Sequence, residues 1–454
     1  MVTQEVELPV TPTALLTRCA AEPYVFLLDG GSAASWGSGH ALFGFRPRAT
    51  LRVTAAGEAV VRTGAEEVHW SGDPLVLLER FRSAWAPRVS AAPAPHGGGV
   101  IAALSYDLRR WIERRDWRAR TDSETPVLHA ACYEWLLSYS YRHRRYQLAS
   151  ATCPPAELTQ IARKLRARAD GPAPISRPPD RAAVVPDLTK EQFCSTVRAV
   201  LDYIAAGDVY QVNLAQRFVV ANPPSPVAMF AALQAHPMPF AAYVDAGDFA
   251  LLSNSPECLL TLCGERVATF PVKGTRRRAP DPRADQLLIT ELQGDAKERA
   301  EHVMIVDLER NDLGRVCRTG SVGVSEFARV STFPSLHHLV STVSGRLQPG
   351  TSLVDVLRAT FPGGSITGAP KIRAMEIIDE VEPVARGFYT GAIGFLTPAY
   401  AVFNLTIRTA VATSQGLTYH AGGGIVADSV PEKEYEETLL KASPFFAALT
   451  PRAA

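Results

Sequence analysis

Nowhere does the sequence hold a run of about 18 apolar residues, so no segment offers a membrane-spanning helix. The opening stretch MVTQEVELPV carries two glutamates and lacks an apolar core segment, so it does not read as a leader, and a soluble, cytoplasmic protein is expected. Charge of one sign is missing too. With 47 Lys and Arg against 46 Asp and Glu, there is no basic surplus of the kind a nucleic-acid binder carries. The seven cysteines (Cys19, Cys132, Cys153, Cys194, Cys258, Cys263 and Cys317) form no CxxC pair, and their odd number leaves at least one without an intramolecular partner. Buried thiols are expected. None lies in a Gly-x-Cys-x-Gly turn of the kind some glutamine-hydrolysing enzymes use, which argues against hydrolysis of glutamine by this chain. Repeats and low-complexity tracts are absent as well.

What is present is enough apolar material for a substantial core, at 46% hydrophobic and 20% charged residues over 454 positions. Residues 1–150 show β-type alternation, as in "LRVTAAGEAVVRTG" and "GGGVIAALSYDL". Residues 151–187 predict a short amphipathic helix and then a proline-rich connector, near 170–187, that cannot pack a sheet. From 188 to 454, helical patterns such as 190–206 and 369–381 alternate with strand-like runs such as "ALLSNSPECLLTL", "YTGAIGFL" and "AVFNLTIRTAVAT". Their hairpin-like spacing favours antiparallel pairing.

Four stretches carry possible chemistry. In "GDAKERAEHVMIVDLERNDLG", Asp295 and Glu298 predict a capping box, with a helix from about Ala296 to the Gly314 stop. Glu301 heads the apolar stripe of Met304, Ile305 and Leu308 and therefore needs a cation, because an unpaired buried carboxylate is costly. In "GGGIVADSVPEKEYEETLLKASPFF", Ser429 and Glu432 predict another capping box, and Glu434, Glu437 and Lys441 share one helical face. Alone, Glu298 also reads as the cap itself, Glu301 as a partly exposed helix rim, and the second segment as a solvated acidic turn. Two helices that each offer an E-x-x-E pair match the carboxylate chemistry of Mg²⁺. The stretch "FPGGSITGAPKIRAMEIID" has phosphate-loop spacing at Gly363 and Gly368, but Ala369-Pro370 stand where Lys-Ser/Thr would be needed, which excludes ATP binding of that type. A glycine turn entering a helix with Pro370 in its first turn can still offer N–H groups to a carboxylate, as can Gly422, Gly423 and Gly424. Finally, "TFPVKGTRRR" places Lys273 before three arginines. A lysine attacks only as the neutral amine, and burial or neighbouring cations push it that way. Arg276, Arg277 and Arg278 are expected to face water or steer anions. No aromatic platform accompanies them, so nucleic-acid binding is not indicated.

Together "SNSPE", "PVKGTRRR", "DAKERAEHVMIVDLERNDLGRV", "HLVSTVSG", "FPGGSITGAPKIRAME", "RGFYTGAIGF" and "AGGGIVADSVPEKEYEETLLKA" resemble the chorismate-utilising enzymes, in order from about 190 to 445. That superfamily includes anthranilate synthase component I, aminodeoxychorismate synthase component I, and the isochorismate and salicylate synthases. The resemblance implies an α/β (α+β) fold in which two large antiparallel sheets pack as a sandwich with helices outside, residues 1–150 adding strands to the same body. It implies Mg²⁺ held by Glu301 and Glu437 with Glu298 and Glu434 close by, and Lys441 supporting the carboxylates. It also implies Arg408, Tyr389 and glycine N–H groups around Gly423 on the enolpyruvyl carboxylate of chorismate, Glu257 as general acid and His338 beside the ring. Relatives that add water have a lysine base where this chain has Gln211, which argues against isochorismate and salicylate synthesis. Anthranilate synthases have alanine where this chain has Lys273; the Pro-x-Lys-Gly-Thr setting, ending at Thr275, resembles the aminodeoxychorismate synthase branch. There the lysine attacks ring C2, and ammonia from a separate glutamine amidotransferase subunit enters at C4, giving the precursor of p-aminobenzoate. The neighbouring alternative is amination at C2. Where tryptophan-binding relatives read Leu-Leu-Glu-Ser, this chain reads Leu27-Leu28-Asp29-Gly30, so tryptophan binding is not expected.

Overall fold

The computed structural model of the protein describes residues 1–31, 39–86, 97–118, 125–172, 183–333 and 336–449. They build two sheets of twelve strands each, and every strand pairing is antiparallel. Helices cover the outer faces. One sheet runs from Val2–Val6 at one edge to Ala183–Pro186 at the other, and the second from Val272–Arg277 to Glu66–Ser71. Strands from the first 150 residues enter both. Phe26–Asp29 pairs with Phe240–Asp245 in the first sheet, and Gly99–Leu104 pairs with Ala392–Leu396 in the second.

The layer between the sheets is apolar, built from Phe26, Leu28, Ile101, Ala103, Leu251 and Phe395 among others. Three further clusters fill the space under the outer helices. Central strands are therefore buried on both faces: all six residues of Gly99–Leu104 and all seven of Phe249–Ser255 are buried. That is why Gly99–Leu104 and the Phe249, Ala250, Leu251 and Leu252 half of the other strand read as continuous apolar runs rather than alternating ones.

Two of those runs are not single strands. "ALLSNSPECLLTL" breaks into Phe249–Ser255 in the first sheet and Cys258–Cys263 in the second. "AVFNLTIRTAVAT" breaks in the same way into Tyr400–Asn404 and Thr409–Thr413. The chain changes sheets at Pro256-Glu257 and again around Arg408. Both crossings border the site described below.

The connector differs from its expected form at one end. The helix Pro155–Asp170 buries Leu158, Ala162, Leu165 and Ala169 against the first sheet, and residues 173–182 lie outside the described residues. Ala183–Pro186, however, does join a sheet, pairing with the strand Gln211–Ala221. It is an edge strand with Pro186 at its last position, where the missing N–H costs no ladder bond. The cysteines are free, and six of the seven are buried; Cys263, at a hairpin tip, is exposed against expectation. Among the described residues no helix is long and apolar enough to cross a membrane.

Candidate active site

Glu257 and Arg408 occupy the two crossings, and backbone hydrogen bonds tie these together: Leu405 N donates to Glu257 O and Asn254 N to Arg408 O, both at 3.0 Å. Pro256 has no N–H to continue the first ladder, and Arg408 adopts a left-handed φ of 51°, which turns the chain between sheets. Burial pushes the Glu257 carboxyl above the usual range, although Lys273, Arg408, Lys441 and a 3.2 Å hydrogen bond from Ser365 Oγ pull the other way. A carboxyl so placed holds its proton longer than an exposed one. Burial likewise works against the charge of Arg408, whose guanidinium has no ion-pair partner among the described residues.

Lys273 lies on Val272–Arg277, paired with Leu336–Arg346. A bulge between Lys273 and Thr275 breaks the register, and Gly274 takes φ +68° there. The lysine side chain keeps some exposed area, yet protein atoms surround its amine closely enough that burial drives its pKa down. Glu301, Glu257 and Glu298 oppose that shift and Lys441 adds to it, so all four charges stand around the amine. Thr275 pairs directly with His338 across the ladder. His338 Nδ1 lies 3.1 Å from Thr275 Oγ1 and 3.1 Å from Gly274 O. A carbonyl can only accept, so Nδ1 carries the proton and Nε2 presents a lone pair. That Nε2 is buried without a partner among the described residues, and burial lowers the imidazole pKa to about 4.

The helix Ala296–Gly314 begins and ends where its sequence signals put it, with Asp295 as N-cap accepting from Lys297 N and Glu298 N. The reciprocal half of the predicted box is not made, because Glu298 turns to the lysine strand instead. Its Oε2 stands 3.4 Å from where a Cβ on Gly274 would be. The second acidic helix, Pro431–Leu449, starts too late for Ser429 to cap it. Ser429 Oγ instead accepts from Val426 N at 3.1 Å and bonds the Glu434 side chain. Glu437 and Lys441 pair at 2.7 Å, and Lys441 Nζ donates to Gly422 O at 2.9 Å. Gly422, Gly423 and Gly424 lie in the strand Gly416–Ile425, laddered to Gln211–Ala221, rather than in a turn. A Cβ on Gly423 would come within 3.0 Å of Glu437 Oε1, and one on Gly424 within 2.7 Å of Gln211 Nε2. Gln211 is fully buried with both amide atoms unpartnered among the described residues.

Both acidic helices thus contribute charges near Lys273: Glu298 and Glu301 from the first, and Lys441, itself paired with Glu437, from the second. Burial first, and then the charge of the neighbouring acid, pushes up the carboxyl of Glu298 beside Glu301; burial and Glu437 do the same to Glu434. Carboxyls pushed up by burial and by one another's charge are the donor set a hard divalent cation takes. As they stand, no three His, Cys, Asp or Glu among the described residues are gathered tightly enough to hold an ion. The arginines depart from expectation. Arg276 pairs with Glu291, Asp295 and Glu298, and Arg278 with Asp285, so only Arg277 matches the solvated role.

Sequence reasoning missed several supports. Asn213 bonds the expected Tyr389, whose hydroxyl burial pushes up to about 12, and His420 stacks on it, with ring centroids 5.0 Å apart and planes 8° from parallel. Buried Arg386 donates to Asn213 O at 2.6 Å and Ile366 O at 3.0 Å. Glu309, further along the first acidic helix, has a buried Oε2 without a partner and a carboxyl that burial pushes up to about 8. Pro370 sits one residue before the helix Lys371–Val381, at its N-cap rather than in its first turn.

A model of the chorismate binding enzyme family matches residues 26–447, and the chain belongs to that family. It is 37% identical over 420 residues to the aminodeoxychorismate synthase component 1 of Bacillus subtilis (strain 168), covering 89% of this chain and 88% of that protein. It is 42% identical over 389 residues to anthranilate synthase component 1 1 of Haloarcula marismortui, covering 82% and 80%. The crystal structure of anthranilate synthase component I from Streptococcus pneumoniae TIGR4 superposes with a TM-score of 0.79 at 30% identity, covering 89% of this chain and 92% of that one.

Proposed function

We propose that this chain aminates chorismate at C4, as a Mg²⁺-dependent aminodeoxychorismate synthase component I whose ammonia comes from a separate glutamine amidotransferase subunit. The observation that carries the reading is Lys273: an amine biased toward neutrality by burial, on a bulge between Glu257, His338 and the acidic helices. Similarity to named relatives does not choose between C4 and C2, since 37% and 42% identity fall on opposite sides of that divide.

Glu301 and Glu437, with Glu298 and Glu434 beside them, would hold Mg²⁺, whose positive charge would meet the ring carboxylate of chorismate. Arg408, Tyr389 and the strand carrying Gly422, Gly423 and Gly424 hold the enolpyruvyl carboxylate; Gln211 and Thr275 border the ring. Lys273 attacks C2, both ring double bonds shift by one position toward C4, and the C4 hydroxyl departs as water with the proton of Glu257. Ammonia then bonds to C4, both double bonds shift back, and the C2–N bond breaks to release Lys273 as neutral amine. The new C4 ammonium returns one proton to Glu257. Chorismate and ammonia thereby become 4-amino-4-deoxychorismate and water, with Glu257 and Lys273 restored. His338 stays uncharged and offers Nε2 as a hydrogen-bond acceptor throughout.

Product identification by mass spectrometry, with chorismate, Mg²⁺ and an ammonium salt, tests the reading for wild type beside Lys273→Ala. The wild type is expected to give 4-amino-4-deoxychorismate, and the variant to lose or redirect amination while remaining folded. Anthranilate as the main wild-type product would refute amination at C4.

A further inference from the structure

The half of the Ala296–Gly314 helix that carries Glu298 and Glu301 has almost no apolar attachment. From Ala296 to Met304 only His302 is buried, whereas Ile305, Val306 and Leu313 fix the second half in the core. Polar contacts do the holding instead. Ser341 Oγ meets His302 Nε2 at 2.6 Å. At the start of the helix, Arg276 reaches across from the lysine strand. Its Nε donates to Glu291 at 2.9 Å and its Nη2 to Asp295 at 2.8 Å, while Nη1 lies 3.1 Å from Thr275 O and 3.5 Å from Glu298 Oε1. Asp295 is the N-cap, so its other oxygen fixes the first turn through Lys297 N and Glu298 N. One guanidinium therefore joins the strand of Lys273, the preceding helix Pro282–Gly294 and the cap of the acidic helix.

We infer that Arg276 is a positioning residue: by clamping the cap to the lysine strand it sets where Glu298 and Glu301 stand and so completes the divalent-cation site. This rests on the reading of the four carboxylates given under the proposed function. The two short contacts go to Glu291 and Asp295, outside the carboxylate group itself, so Arg276 acts on the cation through the helix it holds. Only a fork of several donors spans these acids at once; a lysine ammonium cannot hold the same geometry. Arg277, two residues from the bulge, is exposed and takes no part.

Mn²⁺ titrated into the full-length chain without substrate, with free ion read by electron paramagnetic resonance, tests this; thermal unfolding of the same samples without metal is followed in parallel. Arg276→Gln is expected to bind Mn²⁺ about tenfold or more weakly, in the range that loss of an outer-shell partner produces, with Arg276→Lys between it and the wild type. Arg277→Gln is expected to bind as wild type does. Asp295→Asn keeps a good cap residue while weakening the clamp, and is expected to lose affinity with its unfolding midpoint nearly unchanged. Affinity in Arg276→Gln or Asp295→Asn equal to or tighter than wild type would overturn the inference. Failure of the wild type to bind Mn²⁺ at all would instead overturn the carboxylate reading on which it stands.

Discussion

Replacing Gly274 by alanine separates two costs that the structure places at one position. The first is backbone: at φ +68° an L-residue is strained by roughly 1–2 kcal/mol. The second is room. The new methyl would stand 2.8 Å from Leu292 Cδ1, 3.3 Å from Leu339 Cδ1 and 3.4 Å from Glu298 Oε2. Both leucines are fully buried, so neither can swing out of the way. Forcing a methyl into packing of this kind costs about 1–3 kcal/mol. Gly320 provides the control, because it has φ +76° with nothing within 4 Å of its Cβ position. Alanine there meets only the backbone cost, and the entropy lost from the unfolded chain is common to both variants and cancels. Gly274→Ala should therefore be less stable than Gly320→Ala by about 1–3 kcal/mol in urea unfolding. It should also lose ammonia-dependent turnover, which Gly320→Ala should keep, since the bulge sets Lys273 against its neighbours. Equal stability losses in the two variants would refute the packing at the bulge.

Glu309 and Glu257 give two further tests. Burial raises the Glu309 carboxyl to about 8 in the fold, above its unfolded value, so the folded chain binds the extra proton and stability falls as pH rises from the ordinary glutamate range to about 8. Glu309→Gln should remove that decline, so its urea midpoint should gain on wild type between pH 5.5 and pH 9; parallel profiles would sink the assignment. Glu257→Gln keeps shape and removes the acid, and should lower kcat by about 10²–10⁴-fold with little change in KM. A loss carried by KM alone would make Glu257 a binding residue.

Part of this was legible in the sequence because some signals are local. Asp295 followed by Glu298, and Gly314 downstream, marked the ends of the first acidic helix, since caps act within one turn. The same logic failed at Ser429, where a local turn to Val426 took the hydroxyl before the helix began at Pro431. Non-local pairings were out of reach. The run Arg276–Arg278 looked solvated because its acidic partners, Asp285, Glu291 and Asp295, return to it only once the Pro282–Gly294 helix folds back on the strand. Periodicity could not show that two apolar runs change sheets midway, although Pro256 and the polar Ser253-Asn254-Ser255 stretch held the clue. Nothing in sequence spacing connects His420 with Tyr389, or marks Glu309 as an acid sealed against solvent.

The two crossings also explain why acid and cation are set differently from the carboxylates. Sheets stacked about 10 Å apart oblige a crossing chain to leave its ladder, and the freed backbone groups must find other partners. Here each crossing supplies the other's: Leu405 with Glu257, and Asn254 with Arg408. Glu257 and Arg408 are consequently mounted on backbone locked from both sheets at once. Glu298 and Glu301 ride instead on a half-helix held by polar contacts, and such contacts, unlike apolar packing, can lengthen without opening a void. Under the proposed mechanism, with Glu257 as proton donor and Glu298 and Glu301 at the cation, substitutions at the crossings should act on turnover and those on the half-helix on metal affinity.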